Sequence, residues 1–422
     1  MLLLSIRVVC MLLNCQFTKN KNNNICCAIF APKIYSTIIG FVHWGWILPF
    51  CPDSYREGAD EGKCTEPIMV EHNSKIMKKI YFTLIALMYI LPIYSQLFEK
   101  IESGDIVADF SDSRSVNFVD VNNDGWEDIF ISNGINPGVE NLFYLNNGAG
   151  NYSKVTSGDI VGHPAPFDGA TFADIDNDGN LDAFAVTWYG IKNYLYYGNG
   201  DGTFNYDSGA APSMGTTYSE TASWGDMDND GDLDLYVTNS TNLNGTSLKN
   251  DLYKNNGDGS FTKINGGVAV IQAHPSRSVN WTDYDNDGDL DLFVSNESNR
   301  PDDLYRNDGN GNFSVAPNAP SQSIRSTMSS SWGDIDNDGD LDLFVANSGF
   351  YSEQKNQLFK NNGDGTFSEI TSGPAADFGC SYGSNFGDYD NDGDLDLVVA
   401  NGFCNGSIFN FLYLNDGQGN FS

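Results

Sequence analysis

Beyond residue 95 the chain alternates apolar and polar positions in short runs, in six successive copies. The pair SSSWGDI (329–335) and LDLFVAN (341–347) is typical, with Val, Phe and Leu on one face. A period of two predicts half-buried β-strands. No long amphipathic helical stretch appears after residue 95.

Between the two strands of each pair stands an acidic loop, Asp-x-Asp-x-Asp-Gly-x-x-Asp. It reads DVNNDGWED from Asp120, DIDNDGNLD from Asp174, DMDNDGDLD from Asp226, DYDNDGDLD from Asp283, DIDNDGDLD from Asp334 and DYDNDGDLD from Asp388. The starts are 54, 52, 57, 51 and 54 residues apart, which is the mark of a repeat protein. A second signal follows each loop: FYLNNGAGNY (143–152), YYGNGDGTF (196–204), LYKNNGDGSF (252–261), LYRNDGNGNF (304–313), LFKNNGDGTF (358–367) and LYLNDGQGNF (412–421). Asn and Gly tolerate positive φ, so each reads as a hairpin turn.

Each repeat therefore predicts four antiparallel strands, the acidic loop joining strands 1 and 2 and the Gly turn joining 3 and 4. An aromatic precedes the first Asp by two residues in every copy: Phe118, Phe172, Trp224, Trp281, Trp332 and Phe386. Rings at one fixed position suit packing between radially arranged sheets. The fold class is all-β, a propeller of four-stranded antiparallel blades with six repeats present. Residues 98–105, FEKIESGD, resemble the strand-4 segments YSKVTSGD (152–159) and FTKINGG (261–267). A strand at 98–101 would complete the sixth blade and close a six-membered ring. Truncation from a seven-bladed parent fits the same pattern.

Composition divides the chain. The formal net charge is −34, yet residues 1–76 carry 7 Lys/Arg and 6 Asp/Glu, leaving 15 and 50 for the rest. Such acidity repels nucleic-acid phosphates and anionic lipid. Six of the eight cysteines lie before residue 77. Only Cys380 and Cys404 fall in the repeats, eight residues either side of the last acidic loop, and an exported protein would join them as a disulfide. The segment MKKIYFTLIALMYILPIYSQ from Met77 reads as a signal peptide, with Lys78 and Lys79 before an apolar run too short for a comfortable span. The domains are then 1–76, an over-extended reading frame or a genuine extension; 77–95, the signal peptide or, with such an extension, a membrane anchor; and 96–422, the propeller. Secretion or surface display follows.

The acidic loops carry the clearest chemistry. Ca²⁺ takes six to eight oxygens, and a Gly permits the sharp turn. The predicted donors are Asp120, Asn122, Asp124, Trp126 and Asp128; Asp174, Asp176, Asp178, Asn180 and Asp182; and Asp226, Asp228, Asp230, Asp232 and Asp234. The later loops offer Asp283, Asp285, Asp287, Asp289 and Asp291; Asp334, Asp336, Asp338, Asp340 and Asp342; and Asp388, Asp390, Asp392, Asp394 and Asp396. The fourth residue of each set donates its backbone carbonyl, the others their side chains, for about six ions in all. An EF-hand or dockerin would need a carboxylate at position 12, where Ile131, Ala185, Val237, Val294, Val345 and Val399 stand instead. Magnesium, which prefers few protein ligands, fits poorly.

WGDxDNDGDLDLxVxN followed by LYxNNGDGTF resembles the FG-GAP/VCBS repeat, as in the calcium-binding propeller of integrin α subunits, and is similar to the propeller of the cartilage acidic protein/UnbV class. The resemblance covers residues 97–422 and implies a calcium propeller. The Ser-Gln end of the signal segment resembles those of Bacteroidota secreted proteins.

Catalysis has weak support: no G-x-S-x-G, H-E-x-x-H or Cys/His pairing is visible, and no catalytic residue is assigned. The 2–3 loops and 4–1 connections should share the face opposite the metal loops, and they vary as binding loops do. Its candidate ligand residues are His163, Trp188, Tyr189, His274, Arg277, Arg300, Phe350 and Tyr351. The sequence thus predicts a calcium-binding adhesion or recognition module for an extracellular glycan or protein, not embedded in the membrane. The alternative is a carbohydrate-active enzyme of polysaccharide lyase type.

Overall fold

A computed structural model describes residues 102–422 except 149, 321–323, 372, 374–376 and 405–408. The segments 1–76 and 77–95 and the strand expected at 98–101 lie outside the described residues. Six blade sheets follow one another in chain order, five with strands in the order 1-2-3-4 and the sixth with its described strands in the order 1-2-3. The innermost strands are Ser113–Val119, Phe167–Ala173, Ser219–Gly225, Ser276–Thr282, Thr327–Gly333 and Ser381–Gly387. Each lies beside the next around an axis, and some hydrogen-bond directly, as Asn117 Nδ2 does to the Ala170 carbonyl at 3.0 Å. The second strands begin at the last Asp of each loop: Asp128–Asn133, Asp182–Thr187, Asp234–Asn239, Asp291–Asn296, Asp342–Asn347 and Asp396–Asn401. The predicted blade is therefore the observed one, with acidic loops and Gly turns at one end of the strands.

Five seams hold the blades together, each with its own apolar core. From the second blade on, the aromatic before the loop packs into the seam with the preceding blade: Phe172 meets Phe130 edge-on at 5.5 Å, and Trp332 meets Phe293 at 5.6 Å. Polar bridges repeat along the seams. Asn255, Asn307 and Asn361 at the ends of third strands, and Asn415 just past one, each donate Nδ2 to a loop carbonyl of the blade before, at 2.7 Å.

Among the described residues the sixth blade is less complete than the other five. Its described residues form three strands with a bridge between Asn415 and Phe421, and the strand expected to complete it at 98–101 lies outside the described residues. Its face toward a following blade is open: Tyr389, Val398 and Leu412 are 40%, 47% and 42% exposed. The equivalent Ile335, Phe344 and Leu358 of blade five are 1%, 0% and 0% exposed. On the other side, Phe118 is 61% exposed, whereas its five counterparts are half-buried. Phe118 thus departs from the packing role its position predicts. The described residues form an arc of six blades whose two end faces remain uncovered.

Candidate functional site

Two polar assemblies stand at opposite ends of the strands. In the acidic loop at Asp334, Oδ1 of Asp334 accepts the Asp338 N–H at 3.0 Å and Oδ2 accepts the Gly339 N–H at 2.9 Å. Asn337 makes the turn at φ 59°, and Gly339 at φ 92° lies where a Cβ would be strained. The last carboxylate, Asp342, is fully buried and accepts N–H groups from Asn361 and Ile335. The same bonds recur in the other loops, so backbone amides fix the carboxylates in place.

Carboxylate oxygens of Asp174, Asp176 and Asp182 lie within 4.8 Å of one another, as do those of Asp283, Asp285 and Asp291, of Asp334, Asp336 and Asp342, and of Asp388, Asp390 and Asp396. At the third loop the cluster is Asp226, Asp228 and Asp230. Burial pushes the Asp182, Asp234, Asp291 and Asp342 carboxyls up to about 7. Oδ1 of Asp228, Asp285 and Asp336 is buried and accepts no hydrogen bond. Converging hard oxygens, some without a donor, fit a divalent cation, so these clusters can hold a metal ion. Three loops also carry a basic side chain that the sequence reading passed over. Lys254, Arg306 and Lys360 reach from the third strand to the second and third carboxylates, Arg306 to Asp285 and Asp287 at 2.8 Å each. The loop's seventh residue bridges blades through its side chain: Asn286 Nδ2 donates to Asp340 at 2.6 Å, and Asn337 Nδ2 to Asp394 at 3.1 Å.

At the other end a basin of about 520 Å³ opens on the axis. The pairing register of strands 1 and 2 slips once in every blade, near the second residue of the inner strand. Such a bulge re-aims a side chain, and five of the six residues at this position, Arg114, Asp168, Glu220, Arg277 and Tyr382, line the basin. Arg277 pairs with Glu220 at 2.7 Å and lies 3.8 Å from Glu297, while Ser240 donates to Glu297 at 2.6 Å. Glu220 and Glu297 are only 4% and 5% exposed. Burial raises the Glu220 carboxyl well above its usual range; Arg277 opposes the rise and Asp168 adds to it. Burial works against the Arg277 charge, but Glu220, Glu297 and Asp168 hold the guanidinium above its ordinary value.

Aromatic rings wall the basin in two groups. Trp188 stands edge-on to Tyr189 at 4.7 Å and to Tyr218 at 5.3 Å. Phe350, Tyr382 and Phe403 form the second group, with centroids 6.4 and 5.0 Å apart. A disulfide between Cys380 and Cys404, Cα atoms 5.8 Å apart, braces the Phe403 loop against the start of the sixth inner strand.

Of the ligand residues expected from sequence, the basin gathers Trp188, Tyr189, Arg277, Phe350 and Tyr351. His163 stands elsewhere, among Tyr194, Tyr196 and Tyr206, with Nδ1 at 2.9 Å from the Asp159 carbonyl. His274 is paired with Asp303 at 2.8 Å, and Arg300 is exposed beside the bridge to Arg325. Arg114, Asp168, Glu220, Glu297, Tyr382 and Phe403 were missed. Aligning the six repeats on their acidic loops would have flagged the bulge position, since Arg, Asp, Glu, Arg, Met and Tyr occupy it in turn.

The FG-GAP-like repeat family matches residues 120–185, 186–237, 240–294, 283–345 and 334–399. Cartilage acidic protein 1 of Homo sapiens is 29% identical over 218 residues, which is 48% of this chain and 29% of that protein. Its Xenopus tropicalis counterpart is 30% identical over 166 residues, 36% of this chain and 25% of that protein. The matched region thus spans under a third of these relatives. Among solved structures, an Agrocybe aegerita lectin described as recognising non-reducing terminal N-acetylglucosamine superposes with a TM-score of 0.50 at 19% identity, over 74% of this chain and 79% of that one. At that identity the likeness shows the fold alone. With tandem matches running from residue 120 to residue 399 on a blade-by-blade propeller, the chain belongs to the FG-GAP-like repeat family.

Proposed function

We propose that this chain is a calcium-loaded recognition module, exported or displayed at the cell surface, that holds an extracellular glycan or protein in the axial basin. The observation that carries the reading is the contrast between the two ends of the strands. One end repeats a single loop for structure; the other presents a different bulge residue from blade to blade, as a specific binding surface does. The donors in each loop are its first, third, fifth and ninth side chains, with the seventh carbonyl, and Ca²⁺ suits them because it accepts many oxygens in flexible geometry. The ion there neutralises carboxylates that otherwise repel.

The Cys380–Cys404 disulfide supports an oxidising compartment. No helix among the described residues is long and apolar enough to cross a membrane. Three carboxylates in the basin argue against the acidic polysaccharides that a lyase would hold.

The test has two arms on the full chain. Calcium titration by calorimetry should give saturable binding, and a heat-silent titration would overturn the metal reading. Immobilised glycans and extracellular-matrix proteins should be screened for binding; silence on both panels would overturn recognition.

A further inference from the structure

Three of the basin's rings sit on strained backbone. Tyr189, Phe350 and Phe403 adopt φ of 64°, 57° and 57°, a left-handed conformation that bulky residues avoid. Among the described residues, the other non-glycine positive-φ positions are the six loop asparagines, Ser298 and Asn299. Aromatic strain is therefore confined to this cavity, and strain of this kind gathers at ligand clamps. Each of the three residues occupies the tip of a 2–3 loop, in blades two, five and six, so the rings close on the axis from opposite sides.

Between them the floor is polar and closely balanced in charge. Two guanidiniums, Arg114 and Arg277, stand among three carboxylates, Asp168, Glu220 and Glu297, with Arg114 3.5 Å from Asp168. Trp188 Nε1 is buried and donates no hydrogen bond, and buried Glu297 Oε2 accepts none. An anionic ligand would meet the carboxylates and a cationic one the arginines. A neutral ring bearing hydroxyls can donate to carboxylates, accept from guanidiniums and lay its C–H face on an aromatic ring. The cavity volume falls within the range of about 300–1,000 Å³ usual for small-molecule sites.

Resting on the recognition reading above, we propose that the axial basin binds an uncharged saccharide, stacked on Tyr189, Phe350 and Phe403 and hydrogen-bonded to the Arg277–Glu220–Glu297 floor.

The strain supplies the test. Glycine tolerates positive φ, so Tyr189→Gly, Phe350→Gly and Phe403→Gly remove the ring while keeping the backbone. The calcium-loaded full chain and each variant would be assayed against neutral oligosaccharides of glucose, galactose, mannose and N-acetylglucosamine, with oligogalacturonate, heparin and glucosamine oligomers as charged probes. The expected result is selective binding of a neutral probe, weakened about 3–10-fold by each glycine variant at an unchanged melting temperature. Preference for a charged probe, or no saccharide binding at all, overturns the neutral-saccharide assignment. The recognition reading falls only if matrix proteins also fail to bind. Neutral binding that is indifferent to all three variants overturns the basin as its place.

Discussion

At the scale of single residues, burial decides which charges matter. Arg277 lies between two carboxylates that are almost wholly buried, so Arg277→Met would leave Glu220 and Glu297 without their cation. Removing one partner of a buried pair costs about 3–5 kcal/mol. Urea unfolding should show a loss of that size, and a change near zero would mean that water solvates the pair. His274 makes a pH-dependent contribution. Its hydrogen bond to Asp303 raises it above its ordinary 6.5, so its stabilisation is present below that value and is lost as pH rises through the folded pKa. The stability difference between the native chain and His274→Gln should therefore be largest at acidic pH and shrink toward pH 8. A difference that grows with pH would contradict the assignment. The glycine of each acidic loop was legible as its turn residue. The repeated asparagine two positions before it, which bridges to the next blade, was not, because sequence spacing does not say which side chain stands opposite across a seam.

At the scale of the blade, the seams are the cohesive unit. Phe344 and Val398 occupy the same place in their blades, one sealed by a following blade and the other exposed. Phe344→Ala should cost about 3–5 kcal/mol, whereas Val398→Ala should fall within about 0.5 kcal/mol. Equal costs in denaturant titrations would show that the sixth face is covered in solution. The disulfide closes a sequence separation of 24 residues, and such a loop is worth roughly 3 kcal/mol by its effect on the unfolded chain. Replacing both cysteines with serine should lower the melting temperature and loosen Phe403; unchanged melting would deny the brace. Strand order within the blade and the turn at each end were legible, since each depends on local pattern. The bulge was not: it adds one residue to an inner strand without disturbing the alternation on either side.

At the scale of the molecule, charge and metal are coupled. The formal charge of −34 works against compactness unless cations offset it. With six loops each at tenfold calcium excess, linkage adds about 1.4 kcal/mol per site, or roughly 8 kcal/mol in total. Chelation should therefore lower the melting temperature by many degrees, and an unchanged melt would defeat a structural role for the ion. By itself the sequence determined the repeat, the blade, the family resemblance and the metal-capable loops. Each is a local pattern that recurs at a fixed period, and six recurrences remove the ambiguity of one. Tertiary structure alone decided which five inner-strand positions line the axial basin, that five blade seams are sealed while the end faces are open, and that rings from blades two, five and six share one cavity with a half-buried arginine. These are relations between residues far apart in sequence, set by how sheets pack around an axis, and no local period encodes them.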